Sequence, residues 1–118
     1  TFRALQLAAV QAFDNSDEWH SENNFATYDR RRRLAWQIMD TLRCQYDTDS
    51  VGMFVWGRIP DDYADVEDLT EKVLHEARVF LAPGFIFGSN GRRYIRISLC
   101  AKEEKMAEAL RRIQAVFE

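Results

Sequence analysis

Apolar residues spaced three or four positions apart recur along the chain, and each such stretch predicts an amphipathic helix. The four stretches cover residues 5–13, 25–42, 66–77 and 106–117. The second and longest helix is expected to end near Cys44, and Asp65 is the predicted N-cap of the third. In the last helix, Glu108 and Arg112 have the spacing of an ion pair one turn apart.

Three other stretches have the character of strands. "VGMFVWGRIP" (residues 51–60) is apolar at both alternating sets of positions, which predicts a central strand covered on both faces. "VFLA" (79–82) predicts a short strand that is stopped by the turn dipeptide Pro83-Gly84. "YIRISL" (94–99) alternates, which places two sets of side chains on opposite faces: Ile95, Ile97 and Leu99 on one, and Tyr94, Arg96 and Ser98 on the other.

The order of these elements is helix, helix, strand, helix, strand, strand, helix, and it defines the predicted fold class. The prediction is an α/β (α+β) two-layer small domain, in which a small mixed or antiparallel sheet packs against helices. We expect one domain over residues 1–118, because no repeat, low-complexity tract or linker interrupts the chain. A length of 118 residues is ordinary for a single domain with one core.

Composition and charge narrow the class of partner. The chain is 47% hydrophobic and 30% charged, as in soluble globular proteins, and its net charge of −3 gives no electrostatic reason to bind nucleic acid or anionic membranes. No apolar run approaches the ~20 residues of a membrane span. The chain starts at Thr1 without signal-peptide features, so we expect a processed or excised piece of a cytoplasmic protein, with Cys44 and Cys100 as free thiols.

Most of the polar motifs favour ordinary structural roles. The run "DRRRR" at residues 29–33 is predicted to form a solvated helix face with local salt bridges, because successive residues on a helix point about 100° apart. His20 and His75 have no Cys or carboxylate partners at ligand spacing, so no metal site is expected. "GSNG" (residues 88–91) lacks the Lys-Ser/Thr tail of a P-loop, which favours a hairpin-like turn.

Arg96 is different, because it lies between two isoleucines in an apolar strand. An arginine on the solvent face of an edge strand is the simpler interpretation. The preceding loop favours a functional one, since Gly84, Gly88 and Gly91 would let its backbone approach another chain or a ligand closely. A guanidinium held on a rigid strand is well suited to bind a carboxylate through two hydrogen bonds.

The same block carries a family resemblance. Pro83-Gly84, Phe87-Gly88, Gly91 and "YIRIS" from Tyr94 resemble the C-terminal block of class I/II aminotransferases, which are pyridoxal-phosphate enzymes of fold type I. Four further segments are similar to that family, so the resemblance covers essentially the whole chain: "QLAAVQAF", "YDRRRRL", "GMFVWGRIP" and "MAEALRRI".

The resemblance implies roles for two residues and several partners. Arg96 would bind the α-carboxylate of an amino-acid substrate, and Phe54 would lie at the substrate entrance. The chain would be the C-terminal small domain of a longer enzyme, a homodimer that transfers an amino group between an amino acid and a 2-oxo acid. The family's residues for pyridoxal 5'-phosphate lie in a large domain that this chain does not contain, so no catalytic or cofactor-binding residue is expected here.

The lysines agree with that expectation. Lys72 lies off the apolar stripe of its helix, and Lys102 and Lys105 flank a pair of glutamates, whereas a lysine that bonds a cofactor needs a shielded site. The fragment alone is therefore predicted to be inactive. The alternative is a stand-alone α+β module that binds a small ligand or a protein without catalysis. The amino acid used, and whether the parent is a transaminase or a related lyase or synthase, stay open.

Overall fold

The computed structural model describes residues 1–19 and 25–118 of the chain, and His20 lies outside this part. The chain divides into two compact units, Thr1–Arg30 and Arg31–Glu118. The second unit contains the whole sheet.

The first unit is helical. It contains α1 (Arg3–Asp14), α2 (Ser16–Trp19) and the beginning of α3 (Phe25–Thr41), which confirms the predicted helix over residues 5–13 and the break after it. No residue of α1 is buried. The large apolar side chains that it and the residue before it expose are Phe2, Leu5, Leu7, Val10 and Phe13.

The end of α3 is set by local backbone geometry. Arg43 adopts a left-handed conformation, with φ of 58°, and the amide of Cys44 then donates to the carbonyl of Met39 at 2.8 Å. This pattern satisfies a carbonyl that the last helical turn would leave free. The predicted end of the long helix near Cys44 is confirmed.

The second unit is built on a four-stranded sheet that is antiparallel throughout, with strand order β1-β2-β4-β3. The strands are β1 (Gln45–Tyr46), β2 (Phe54–Arg58), β3 (Ala82–Pro83) and β4 (Tyr94–Ser98). The two long predicted strands are thus confirmed within narrower bounds. The third is displaced: it begins only at Ala82 and includes Pro83, which an edge strand tolerates because its outer N–H groups need no partner.

One face of the sheet forms the core together with helices. Val55 on β2 and Ile95 and Ile97 on β4 are buried there. A Cβ at Gly57 would overlap the sulfur of Met39, so the second half of α3 packs directly on β2. The other helices of this layer are α4 (Val66–Lys72), which continues through a π-helical turn (Val73–Ala77), and α5 (Glu103–Phe117). The predicted two-layer arrangement is confirmed.

The prediction that β2 is covered on both faces is wrong for this chain. Phe54 and Trp56 leave 38% and 39% of their surfaces exposed, whereas Val55 and Gly57, which alternate with them along the strand, are buried. The helices of the second unit supply buried side chains to the Val55 side of the sheet. The opposite face therefore presents aromatic rings that nothing in the described chain fully covers.

Two local predictions about helices hold. Asp65 caps α4 in a capping box: its carboxylate accepts from the amide of Glu67 at 3.4 Å, and Asp68 accepts from the amide of Asp65 at 3.3 Å. On α5, Arg112 Nε donates to Glu108 at 2.8 Å, and Arg111 donates to the same carboxylate. These two guanidinium groups lower the pKa of Glu108 to about 2.

The arginine run differs in part from the expected solvated face. Arg31 Nη1 donates to the carbonyl of Leu99 at 2.9 Å, just beyond β4, and Arg32 donates to the carbonyls of Ser50 (3.2 Å) and Gly52, just before β2. Both side chains are half-buried. They fasten α3 to the main chain at one end of the sheet, a role that the position of the residues around the helix did not indicate.

No helix in the described ranges is both long enough and apolar enough to cross a bilayer.

The two thiols are expected to react at different rates. Burial raises the pKa of Cys44 to about 12 from its ordinary 9.0, whereas Cys100 is exposed, and both are free. A thiol reagent at pH 8 should modify Cys100 quickly and Cys44 only after unfolding. Because the folded state holds the Cys44 proton more tightly, stability should also fall as the pH rises from about 9 towards 12.

Peptide mapping after limited alkylation measures both rates, with a Cys100→Ser variant to isolate Cys44. Equal rates in the folded chain would contradict the assignment.

Candidate functional site

The open face of the sheet is organised by strand register. Trp56 on β2 lies directly opposite Arg96 on β4, with Phe54 opposite Ser98 and Arg58 opposite Tyr94. Because strand side chains alternate, these residues share one face while their neighbours enter the core. Arg96 therefore lies among aromatic side chains on two inner strands, not on an edge strand as the simpler sequence interpretation assumed.

The Arg96 guanidinium is held between two phenyl rings. Its central carbon lies 4.2 Å from the centroid of the Phe54 ring and 3.8 Å from that of the Phe87 ring. Both distances are within the range of cation–π contact. We call Phe54 and Phe87 the aromatic clamp.

Inside the aromatic clamp the charge of Arg96 is uncompensated. Nε is fully buried and has no hydrogen-bond partner within residues 1–19 and 25–118. Over the same residues, no ion pair or hydrogen bond to any other atom of the guanidinium is present. The terminal nitrogens Nη1 and Nη2 are not enclosed as Nε is. Their N–H groups form the outer edge of the guanidinium, which we call the fork, and this edge is left for a ligand. A half-buried cation that meets no anion among the described residues favours binding of a carboxylate.

Further aromatic contacts support the aromatic clamp. The Trp56 ring meets Phe87 edge to face, with centroids 5.6 Å apart and planes at 78°. It meets Tyr94 in the same manner at 6.5 Å and 72°. Such edge-to-face pairs contribute about 0.5–1.5 kcal/mol each beyond their buried area. Trp56 thus fixes the ring that covers Arg96.

Phe87 reaches Arg96 from the loop between β3 and β4. The loop contains two short 3-10 turns, Gly84–Phe87 and Ser89–Gly91, separated by Gly88 at φ of 137°. The backbones of Gly84 and Gly91 cross in contact, so a Cβ on either would overlap main-chain atoms of the other. The expected hairpin connection between β3 and β4 is confirmed. Gly84 and Gly91, however, let the loop approach its own backbone closely, and not that of another chain or a ligand as the sequence suggested.

An open cleft of about 650 Å³ adjoins this loop, and Phe87, Trp56 and Tyr94 form its aromatic wall. Gly84 and residues 88–91 complete it. A second cavity, of about 280 Å³, is bordered by Arg96 and Lys105 among mostly apolar side chains. Phe87 belongs both to the larger cleft and to the aromatic clamp.

Arg93 stabilises the chain next to this site. Its Nη2 donates to the carbonyl of Pro60 at 2.8 Å and its Nη1 to that of Ala64 at 3.0 Å, and it also contacts the carbonyl of Tyr63. These bonds hold the segment after β2 against the start of β4. They have the role of structural anchors, because both terminal nitrogens of Arg93 already donate within the protein.

The structure brings together the two residues named from the sequence, Arg96 and Phe54. Sequence reasoning missed Trp56, although its alternation with Phe54 was a usable signal, and it assigned no role to Phe87.

Of the two histidines, His75 lies 3.0 Å from Glu71 one turn away. The described residues contain no group of three or more His, Cys, Asp or Glu placed to hold a metal ion.

The known proteins that are similar to this chain in sequence and structure are aminotransferases. The chain is 32% identical over 114 residues to an aspartate aminotransferase of Pyrococcus abyssi, and 31% identical over 119 residues to the glutamate-pyruvate aminotransferase AlaC of Escherichia coli. These matches cover 96% and 99% of the chain but 29% of each relative. An aromatic aminotransferase of Pyrococcus horikoshii superposes with a TM-score of 0.74 at 33% identity, covering 94% of this chain and 30% of that one. No family model matches.

The crossing of Gly84 and Gly91 predicts a stability effect. Replacing Gly91 with alanine should lower the free energy of unfolding by about 1–3 kcal/mol, because the added methyl group must displace main-chain atoms. Ser89→Ala, on the same exposed loop, is the matched control and should change stability by less than about 0.5 kcal/mol. Chemical denaturation measures both, and equal effects would exclude the steric explanation.

Proposed function

We propose that this chain, which belongs to the fold type I aminotransferases, is the C-terminal small domain of a longer enzyme and that Arg96 binds the α-carboxylate of its amino-acid substrate. The observation that carries the proposal is the uncompensated guanidinium of Arg96 in the aromatic clamp. The chain spans only about 29% of the length of its curated relatives, which agrees with a domain of a larger protein.

The carboxylate completes the site chemically. A carboxylate is planar and offers two oxygens, which match two parallel N–H groups of the guanidinium. The surrounding rings lower the local dielectric, so each charge-assisted hydrogen bond is stronger than it would be in water. The charge, which has no partner among residues 1–19 and 25–118, then becomes paired in the complex.

Phe54 has two roles in this proposal. Its ring lies against one face of Arg96, and 38% of its surface is still exposed. It therefore both orients the fork and forms one side of the approach to it. This supports its assignment to the substrate entrance.

The cofactor of such an enzyme is pyridoxal 5'-phosphate, which supplies the electron sink for amino-group transfer between an amino acid and a 2-oxo acid. The described residues of this chain do not fit that group. Lys72 lies over the Phe117 ring at 5.0 Å, Lys102 precedes α5, and Lys105 is exposed on that helix. We therefore place the cofactor in a large domain elsewhere in the same protein, and assign no step of its chemistry to this chain.

The remaining partners follow from the same proposal. The large domain would cover the open aromatic face of the sheet, and domain closure would bring Arg96 to the substrate. The exposed apolar side chains of α1 support a further contact with the large domain or with a second copy in a homodimer. Two free thiols are in keeping with a cytoplasmic enzyme.

The Arg96 assignment predicts a large kinetic effect. Loss of one partner from a desolvated charge pair costs ~2–5 kcal/mol, so Arg96→Ala in the full-length enzyme should lower kcat/KM by roughly 30- to 5000-fold. Arg96→Lys should restore only part of this, because an ammonium lacks the planar fork. Cofactor content, measured by absorbance, should be unchanged in both variants.

Arg58→Ala is the matched control, since Arg58 lies on the same sheet but pairs with Asp61 at 3.4 Å. Its kcat/KM should stay near that of the wild type. A change of less than about twofold in Arg96→Ala would refute the carboxylate assignment.

The placement of the lysines predicts that this 118-residue chain alone forms no stable product with pyridoxal 5'-phosphate. Adding the cofactor and recording the visible spectrum should give no stoichiometric band of a lysine-bound cofactor. The opposite result would be a stable, stoichiometric band that disappears when one particular lysine is replaced.

A further inference from the structure

The two rings of the aromatic clamp reach Arg96 from different kinds of structure. Phe54 stands on β2, while Phe87 comes from the loop after β3 and is 48% exposed. The rings make no ring–ring contact with each other within the described residues, so they stand on different sides of the central carbon, each against one side of the guanidinium. Only directions within the plane of the fork stay open to a hydrogen-bond acceptor.

We infer that Phe87 is a positioning and specificity residue: by closing the second face of Arg96, it fixes the fork for binding and makes the site selective for a flat carboxylate over tetrahedral oxyanions. The inference rests on the proposed role of Arg96 and deepens it. A carboxylate has no oxygen outside its own plane and can lie coplanar with the fork. A sulfonate or phosphonate always has an oxygen out of that plane, and that oxygen would meet a phenyl face.

Phe87 acts through Arg96, and its own position is fixed by Trp56. The edge-to-face contact of Trp56 and the crossed backbones of Gly84 and Gly91 determine where the Phe87 ring lies. Without the ring, Arg96 would be free to adopt more rotamers, and water would reach one face of its guanidinium. Ordering one long side chain on binding costs about 0.5–1.5 kcal/mol, which corresponds to a roughly two- to twelvefold loss of affinity.

The loop contains its own control. Phe85 is two residues from Phe87 in the same 3-10 turn, has a similar exposure of 40%, and makes no ring–ring or cation–π contact within the described residues. Phe85→Leu and Phe87→Leu remove the same chemical group from the same turn. A general effect on loop packing would appear in both variants, and an effect through Arg96 only in the second.

The probes are propionate and ethanesulfonate, which have the same charge and the same two-carbon apolar group but differ in the shape of the anion. Both lack the amino group and are tested as competitive inhibitors of the full-length holoenzyme, so that their inhibition constants measure binding alone. The measurements are made at constant ionic strength, because screening would change both.

In Phe87→Leu, the inhibition constant of propionate should rise three- to tenfold and that of ethanesulfonate by less, so that the preference for the carboxylate narrows. Phe87→Tyr, which keeps an aromatic face, should remain within twofold of the wild type for both probes, as should Phe85→Leu. If Phe87→Leu does not fold, Phe87→Met removes the ring while retaining a similar apolar volume.

Two failures are distinguishable. If propionate does not inhibit the wild type, or binds Arg96→Ala as well as the wild type, the proposed function of Arg96 is wrong and this inference falls with it. If Arg96→Ala loses propionate binding but Phe87→Leu behaves like Phe85→Leu, or its preference for the carboxylate is unchanged, only the role of Phe87 is refuted.

Discussion

The site depends on one electrostatic constraint: a guanidinium cannot be left in an apolar environment unless something orients it and something else eventually neutralises it. In this chain the orienting groups are phenyl rings, and they provide no opposite charge. A carboxylate partner within the protein would stabilise the free state more, but it would compete with any incoming anion. Aromatic faces hold the cation weakly and leave its hydrogen-bonding edge available.

The sheet makes this arrangement possible. Antiparallel pairing of β2 with β4 places Trp56 opposite Arg96, and the twofold alternation of side chains sends Val55 and Ile97 to the core at the same time. A shift of register by one residue would exchange the two faces and bury the arginine. The packing of the hydrophobic core and the orientation of the site are therefore specified by the same register.

Much of this could be predicted from the sequence. Helical periodicity located α1, α3 and α5, and strict alternation located β4 with Arg96 on its non-core side, since these signals are local. The exposed face of β2 was predicted wrongly because its side chains are apolar on both faces, and the sequence does not state which face lacks a helix. The contact of Phe87 with Arg96 had no signal, because it depends on how a glycine-crossed loop folds back over the sheet.

Arg31 and Arg32 anchor the ends of the strands through carbonyls of Leu99, Ser50 and Gly52. Carbonyl groups are the same in every residue, so this attachment places no demand on the identity of most side chains in the segment that leads into β2. Val51 and Met53, both exposed in the segment just before Phe54, can therefore be replaced by other residues while the path of the backbone is retained. Point substitution can in this way vary the chemistry at the start of β2 without rebuilding the fold that holds Arg96.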